Sequence, residues 1–181
     1  AKRAEWLARF GLDNTWGDRL QDASHALQRV YQKRGIECAR TDPHCDGHCF
    51  WTIVDVVVEN KGTYSAQGMF NPFWEQKPNG YSPENVAVFN GATGVFLDTD
   101  PKDMIFTSGQ SFKADVLFAH YGDAPLKNAQ VKWSVGTLGG TFAVDALPLG
   151  SPLALGTIEI DFARLPAPAR YTLRVEIAGA M

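Results

Sequence analysis

Cys38, Cys45 and Cys49 lie within twelve residues, together with two histidines, and side chains of these types at this density can bind zinc. The cysteine spacing is C-x6-C-x3-C, whereas zinc fingers and ribbons use Cys-x2-Cys or His-x3-5-His arms. Three cysteines also cannot form a complete disulfide framework. A metal site, one local disulfide and free thiols are therefore all open, and the spacing favours thiols in a helix-to-strand connection. We expect no metal and no other cofactor.

Other catalytic motifs are weak. A serine hydrolase would carry G-x-S-x-G, which neither TSGQS nor LGSPL matches. The segment GTLGGT lacks the lysine and the following helix of a phosphate-binding loop. Cys49 with His48 or His120 offers a cysteine–histidine pair by residue type alone, and His120 falls on a predicted strand, where we interpret it as structural.

Composition narrows the classes of partner. The chain has 181 residues, 45% hydrophobic and 20% charged, which is ordinary for a globular protein. A formal net charge of -3 gives no electrostatic reason to expect nucleic acid or an anionic membrane surface as partner. No apolar run approaches the roughly 20 residues that span a bilayer. The chain begins without Met or a signal-peptide core, so we expect it to be processed or excised from a longer protein.

A long aromatic segment follows the most apolar run of the sequence. Residues 50–58 are almost uniformly apolar and β-branched, as in a parallel strand covered on both faces. The chain then becomes polar and glycine-rich, yet it still presents large aromatic residues, namely Tyr64, Phe70, Phe73 and Trp74. A buried strand normally ends in a short turn, so the length and aromatic content of this segment require an explanation.

The elements before this run read as helices. Apolar residues recur at three and four between residues 1 and 35, with a break near Gly11 and Asn14. Gly35 is a candidate end, although residues 36–40 can extend the helix, and Asp42-Pro43 ends it. A helix, a short loop and a buried strand in this order are typical of an α/β barrel or a layered sheet.

From about residue 92 the pattern changes to short strands separated by turns. Alternation is clear at Phe112, Ala114, Val116 and Phe118. About seven strands within 90 residues predict an antiparallel β-sandwich. The predicted strands are Thr93–Leu97, Met104–Thr107, Ser111–Ala119, Ala129–Val135, Thr141–Val144, Ala154–Phe162 and Tyr171–Ile177.

Three stretches in this order resemble the carboxyl-terminal part of bacterial glycoside hydrolases related to the β-galactosidase and β-glucuronidase family. They are DASHALQRVYQKRGIECARTDP, DVVVENKGTYSAQGMFNPFWEQKPNGYSPENVAVFNGAT and DTDPKDMIFTSGQSFKADVLFAHYGDAPLKNAQVKWSV. The resemblance implies a mainly β chain with an N-terminal α/β segment. Residues 1–91 would be the last helix and strand of a (β/α)8 barrel with a long aromatic loop. Residues 92–181 would be an immunoglobulin-like antiparallel β-sandwich.

The same resemblance implies a site for carbohydrate. Loops at the carboxyl ends of barrel strands build the active-site face. Trp74 would be the platform for the flat C–H face of a sugar. Asp55, Glu59, Gln67 and Lys77 would supply polar contacts to its hydroxyl groups.

The catalytic residues of such an enzyme are expected elsewhere. Glycosidases need two carboxylates flanking the scissile bond, about 5 Å apart when they retain configuration. The family places its two glutamates on earlier barrel strands, whereas Glu5 and Glu37 lie on helical patterns here. We therefore assign no catalytic residue in this chain.

The resemblance also implies partners. The remainder of a parent enzyme would complete the barrel, and the parent would be secreted or periplasmic. The family usually continues into a final strand after ARYTLRVEIAGAM, so an unpaired sandwich edge would allow a homo-oligomer. The alternative to a hydrolase portion is a non-catalytic carbohydrate-binding module or a purely structural β-sandwich.

Overall fold

The computed structural model of the chain describes residues 2–50, 52–58, 63–65, 67–78, 80–99 and 104–180. They form two compact units. The first contains Ala1–Ile36 and Gly47–Val86, and the second contains Glu37–Asp46 and Ala87–Met181. The described chain is mainly β, with antiparallel sheets and with its helices toward the N-terminus. The predicted division at residue 92 stays a prediction.

Two helices open the chain, as the periodicity predicts. They are α1 (Lys2–Ala8) and α2 (Asn14–Thr41). The Asp13 carboxylate accepts hydrogen bonds from the amides of Thr15 (3.0 Å) and Trp16 (3.3 Å), which caps the start of α2. The helix continues past Gly35 to the Asp42-Pro43 step.

The prediction of a parallel strand buried on both faces over residues 50–58 is wrong. The described strand here is β1 (Val56–Val58), which pairs antiparallel with β2 (Thr63–Ser65). Ile53 and Val56 are exposed, and Val54 makes an isolated parallel bridge with Phe70. A partner a few residues away closes a much smaller loop than a distant strand does, so the local hairpin forms.

Two three-stranded antiparallel sheets make up most of the second unit. Their strands are β3 (Thr93–Asp98), β4 (Ser111–His120), β5 (Leu126–Val135), β6 (Leu138–Leu147), β7 (Gly150–Asp161) and β8 (Arg174–Ala180). The strand orders of the two sheets are β3-β4-β7 and β6-β5-β8.

Side chains from both sheets meet in one buried cluster. Phe112 and Val116 of β4 pack in it with Val131 of β5 and Ile158 of β7. Alternate residues of β4 are buried, which confirms the period-2 pattern at Phe112 to Phe118. This apolar burial is the main source of stability in the second unit.

Two local predictions differ from the structure. Residues 104–107 do not form a strand, because the Thr107 amide donates to the Gln110 side chain (2.7 Å) and Phe106 packs on Phe162 with ring centres 4.5 Å apart. A third helix, α3 (Pro83–Asn90), was not predicted. Its start signals are present: the Ser82 hydroxyl accepts from the Asn85 amide (3.2 Å), and proline occupies the first helical position.

Two buried polar residues hold loops of the second unit. His120 lies between the Thr93 hydroxyl (2.7 Å) and the Ala124 carbonyl (2.9 Å), which fits its structural interpretation. Arg40 donates to the Phe89 carbonyl (2.9 Å), and its guanidinium lies 5.1 Å from the centre of the Phe96 ring. Both side chains thus have partners within the fold.

Candidate functional site

Residues 70–77, hereafter the aromatic turn, are closed by one asparagine. The side-chain oxygen of Asn71 accepts from the amides of Phe73 (2.9 Å) and Glu75 (3.0 Å). Its side-chain nitrogen donates to the Glu75 carboxylate (2.7 Å), and its own amide donates to the Glu75 carbonyl (2.9 Å). An asparagine that satisfies several nearby backbone groups in this way fixes a tight turn.

The turn presents two aromatic rings to solvent. Phe73 is 81% exposed and Trp74 is 70% exposed. Trp74 has φ 64°, a left-handed conformation that is uncommon for a large side chain. Its amide donates to the Asn71 carbonyl (3.0 Å), and its ring lies 6.3 Å from that of Phe70. Backbone strain at a solvent-facing tryptophan is a feature more typical of binding sites than of packing.

A buried ion pair anchors the far end of the turn. Lys77 Nζ lies 3.0 Å from one carboxylate oxygen of Asp55 and 3.2 Å from the other. The Asp55 side chain is 0% exposed and that of Lys77 is 12% exposed. Asp55 also accepts from the Gly68 amide (2.7 Å). A carboxylate removed from water requires partners of this kind.

Backbone hydrogen bonds connect residues 53–55 with residues 69–70. The Asp55 amide donates to the Phe70 carbonyl (3.0 Å), and the amides of Met69 (2.8 Å) and Phe70 (3.0 Å) both donate to the Ile53 carbonyl. Gly68 sits where these segments are closest. An added Cβ there would lie 2.5 Å from the Val54 carbonyl carbon and 2.8 Å from the Phe70 carbonyl oxygen. Only glycine fits this approach.

Two further predicted site residues are Gln67 and Glu59. The Gln67 side chain is exposed, and the Gln67 carbonyl accepts a hydrogen bond from the Gln28 side chain. Glu59 lies outside the described residues. The structure therefore brings Asp55 and Lys77 together beside the turn that carries Trp74. Sugar contact by any of these side chains stays a prediction.

Sequence reasoning missed Asn71 and Gly68. Asn71-Pro72 is a recognised turn-initiating pair, so the sequence held a signal for the turn. Gly68 gave only the general indication of a close backbone approach, because two of its three nearest contacts come from residues 54 and 55, more than ten residues away.

Tyr81 lies next to the aromatic turn along the chain, and its carbonyl accepts from the Gln76 side chain. Burial raises the pKa of Tyr81 to about 12 from 10.0, and the Arg29 guanidinium offsets part of this effect. The buried phenol thus favours its neutral form.

The raised pKa of Tyr81 predicts a pH dependence. Its contribution to stability is complete below pH 10.0 and is lost as the pH rises through about 12, because the unfolded chain ionises first. Between pH 10.0 and about 12, the free energy of unfolding should therefore fall less for Tyr81→Phe than for the natural chain, as measured by urea unfolding. Tyr31→Phe, at an exposed position, is the matched control. Equal slopes for Tyr81→Phe and the natural chain would contradict the expectation.

The cysteine-rich segment shows no assembled metal site. Cys38, Cys45 and Cys49 are thiols in the structure. Within the described ranges, no group of three or more histidine, cysteine, aspartate or glutamate side chains could hold a metal ion.

The second unit contains a cavity of about 580 Å³. Its lining is largely apolar and includes Phe106, Phe112, Ile160 and Leu173. Because the hydroxyl groups of a sugar need polar partners, this cavity is a poor site for carbohydrate.

A family model described as a domain of unknown function (DUF8488) matches part of the chain, residues 110–181. The match begins just before β4 and includes β5 to β8, so it lies outside the aromatic turn. No curated protein matches the chain.

None of the helices in the part of the chain that the structure describes is both long enough and apolar enough to cross a bilayer.

Proposed function

We propose that the chain is the carboxyl-terminal portion of a glycoside hydrolase of the β-galactosidase-like kind, in which the aromatic turn contacts carbohydrate. The observation that carries the proposal is Trp74, a solvent-facing indole held in a left-handed backbone conformation by the Asn71 turn. The resemblance of the sequence supplies the enzyme class. On this proposal the second unit is an immunoglobulin-like sandwich that supports the site, and the helical part of the first unit derives from the last helix of a barrel.

The physical argument concerns preorganisation. A sugar presents a flat C–H face that stacks on an indole ring, and a tryptophan brings large contact area with few rotatable bonds. The hydrogen bonds around Asn71 fix the backbone of the turn before any ligand arrives. Binding then loses less conformational entropy than it would on an unstructured loop.

The buried ion pair has a supporting role in this proposal. Asp55 is hydrogen-bonded to Lys77, which is the last residue of the turn. The ion pair therefore fixes the position of the end of the turn. Direct sugar contacts by Gln67, Glu59 and Lys77 belong to the proposal as well, whereas the Asp55 side chain is 0% exposed and acts through Lys77. Among the predicted site residues that the structure describes, Gln67 and Trp74 have exposed side chains.

Hydrolysis would require the rest of the parent enzyme. The resemblance places the acid/base and nucleophile glutamates upstream, and we expect the isolated chain to give no turnover of a chromogenic β-galactoside or β-glucuronide. Turnover by this chain would mean that a carboxylate pair within it does the chemistry. On the proposal the parent enzyme is exported, being secreted or periplasmic.

The second candidate function is a non-catalytic carbohydrate-binding module. The observation that favours it is again the exposed Trp74, because stacking on an indole requires no catalytic group. Sugar binding without turnover fits both candidates. Restored turnover on mixing with the remaining portion of a parent hydrolase would favour the first.

A substitution at Trp74 tests carbohydrate contact. Trp74→Gly removes the ring and suits φ 64°, so it should keep the fold while weakening glycan affinity at least about tenfold. Binding is first sought on a glycan array and then measured by calorimetry with the sugar that binds. Trp6→Ala is the matched control, because Trp6 is 54% exposed on α1. Equal affinity for Trp74→Gly and the natural chain, or an equal loss for Trp6→Ala, would refute the role of the turn.

A further inference from the structure

Strand β8 forms one edge of the sheet β6-β5-β8. It pairs antiparallel with β5, placing Ile177 opposite Val131 and Val175 opposite Trp133. Its other edge pairs with no strand of the described chain. The backbone groups along such an edge form a template for another strand.

The other three edges of the two sheets carry features that discourage pairing. Strand β7 has Pro152 and Gly156 at its register shifts with β4, and such bulges twist an edge away from a partner. Strand β6 contains Gly139 and Gly140, and β3 has only six residues. Residues 174–178 of β8 contain neither proline nor glycine. The edge along these five residues can therefore add a strand without a proline or glycine interrupting the new ladder.

The side chains along this edge are complementary to those of a second, antiparallel copy. Val175 and Ile177 of β8, with Leu173 just before it, pack against the buried cluster, whereas Arg174 and Glu176 are exposed on the other face. A two-fold axis at Val175 places Val175 opposite itself. Directly opposed residues of an antiparallel pair lie on the same face, so this register places Arg174 opposite Glu176 of the other copy, twice.

We propose that two copies of the chain associate through antiparallel pairing of β8 with β8, with Val175 at the two-fold axis. Two opposite-charge pairs then form on the outer face, and Leu173 meets Ile177 on the inner face. Within one copy, Arg174 and Glu176 already lie 3.6 Å apart while remaining exposed, so both can reach across the axis. Each three-stranded sheet becomes half of a six-stranded sheet, as an isologous interface requires.

Charge reversal tests this register. Arg174→Glu alone places four carboxylates along the axis, and Glu176→Arg alone places four guanidinium groups there. Each variant should dimerise at least about tenfold more weakly than the natural chain, because two attractive pairs become repulsive. Sedimentation velocity over a concentration series gives the dimer dissociation constant. Lys113→Glu, an exposed charge reversal on β4 of the other sheet, should leave it unchanged.

Mixing the two variants provides the decisive measurement. The two carboxylates of the Arg174→Glu chain then face the two guanidinium groups of the Glu176→Arg chain, so both pairs across the axis are attractive again. The mixture should form a heterodimer at concentrations where each variant alone is monomeric, and heterodimer formation also shows that both variants are folded. A natural chain that stays monomeric, dimers insensitive to both reversals, or folded variants that do not recover on mixing would each overturn the proposal. Association with an unrelated extended peptide but not with itself would overturn it too.

Discussion

Replacing Lys77 by methionine should lower the free energy of unfolding of the first unit by about 3–5 kcal/mol, because it removes the ammonium group that lies 3.0 Å from the buried Asp55 carboxylate. The methionine fills most of the volume of the lysine stem, so lost charge pairing rather than lost packing is measured. Urea unfolding followed by tryptophan fluorescence reports the change, since four of the five tryptophans fall within the ranges of the first unit.

Two comparisons isolate the buried charge. In Asp55→Asn combined with Lys77→Met, both charges are removed and an acceptor remains for the Gly68 amide, so at least about half of the loss should be recovered. The surface pair Arg3–Asp18, at 2.8 Å, is the matched control, and Arg3→Met should change stability by less than about 1 kcal/mol. Similar effects for Lys77→Met and Arg3→Met would contradict the structural role of the buried pair.

The second large effect is expected at Gly68. Gly68→Ala places a methyl group within 2.8 Å of the Phe70 carbonyl oxygen and closer still to the backbone at Val54, so these segments must separate. The hydrogen bonds from Gly68 to Asp55 and from Asp55 to Phe70 should weaken together. A loss of about 3 kcal/mol or more is expected, at the upper end of overpacking effects. Urea unfolding with fluorescence detection measures it.

A second glycine provides the control. Gly35 lies within α2, and no atom lies within 4 Å of a Cβ added there. Gly35→Ala should stabilise the chain by about 0.5–1 kcal/mol, because alanine loses less backbone entropy than glycine in a helix. If Gly68→Ala and Gly35→Ala had effects of the same sign, the close approach at Gly68 would not be a constraint on this fold.

The elements that sequence reasoning predicted well are those defined by their own periodicity. Apolar residues at every second position of β4 place Phe112 to Phe118 on one face, and the structure buries that face. The same regularity marks α2, which the three- and four-residue spacing predicts and which continues through Gly35. In both cases a regular pattern extends over several turns or residues of one element, and the element's type follows from it directly.

The errors arose where pairing partners decide the outcome. The run at residues 50–58 is apolar enough for a covered parallel strand, but strand direction depends on which segment is nearby, and β2 is close along the chain. Segment 104–107 has strand-like composition, yet the Gln110 side chain takes its backbone donor at Thr107. Periodicity carries no information about either partner.

The candidate site was predictable in composition but not in geometry. The abundance of aromatic residues marked Phe73 and Trp74, and the resemblance marked Asp55, a carboxylate within an apolar run that needs a partner when it is buried. That the partner is Lys77, 22 residues along the chain, follows from the hairpin and the close approach at Gly68. The left-handed conformation of Trp74 depends on the hydrogen bonds of Asn71, which no single-residue preference indicates.

The self-contained hydrogen bonding of the aromatic turn has an evolutionary consequence. Its shape is set by Asn71, Glu75 and the backbone, whereas the Phe73 and Trp74 side chains are exposed to solvent and contribute little to the fold. Substitution at position 73 can therefore change which molecular surfaces the turn attracts without lowering the stability of the chain. Position 74 accepts a narrower set, chiefly residues that tolerate positive φ. Recognition can drift rapidly across such a turn while its frame stays fixed.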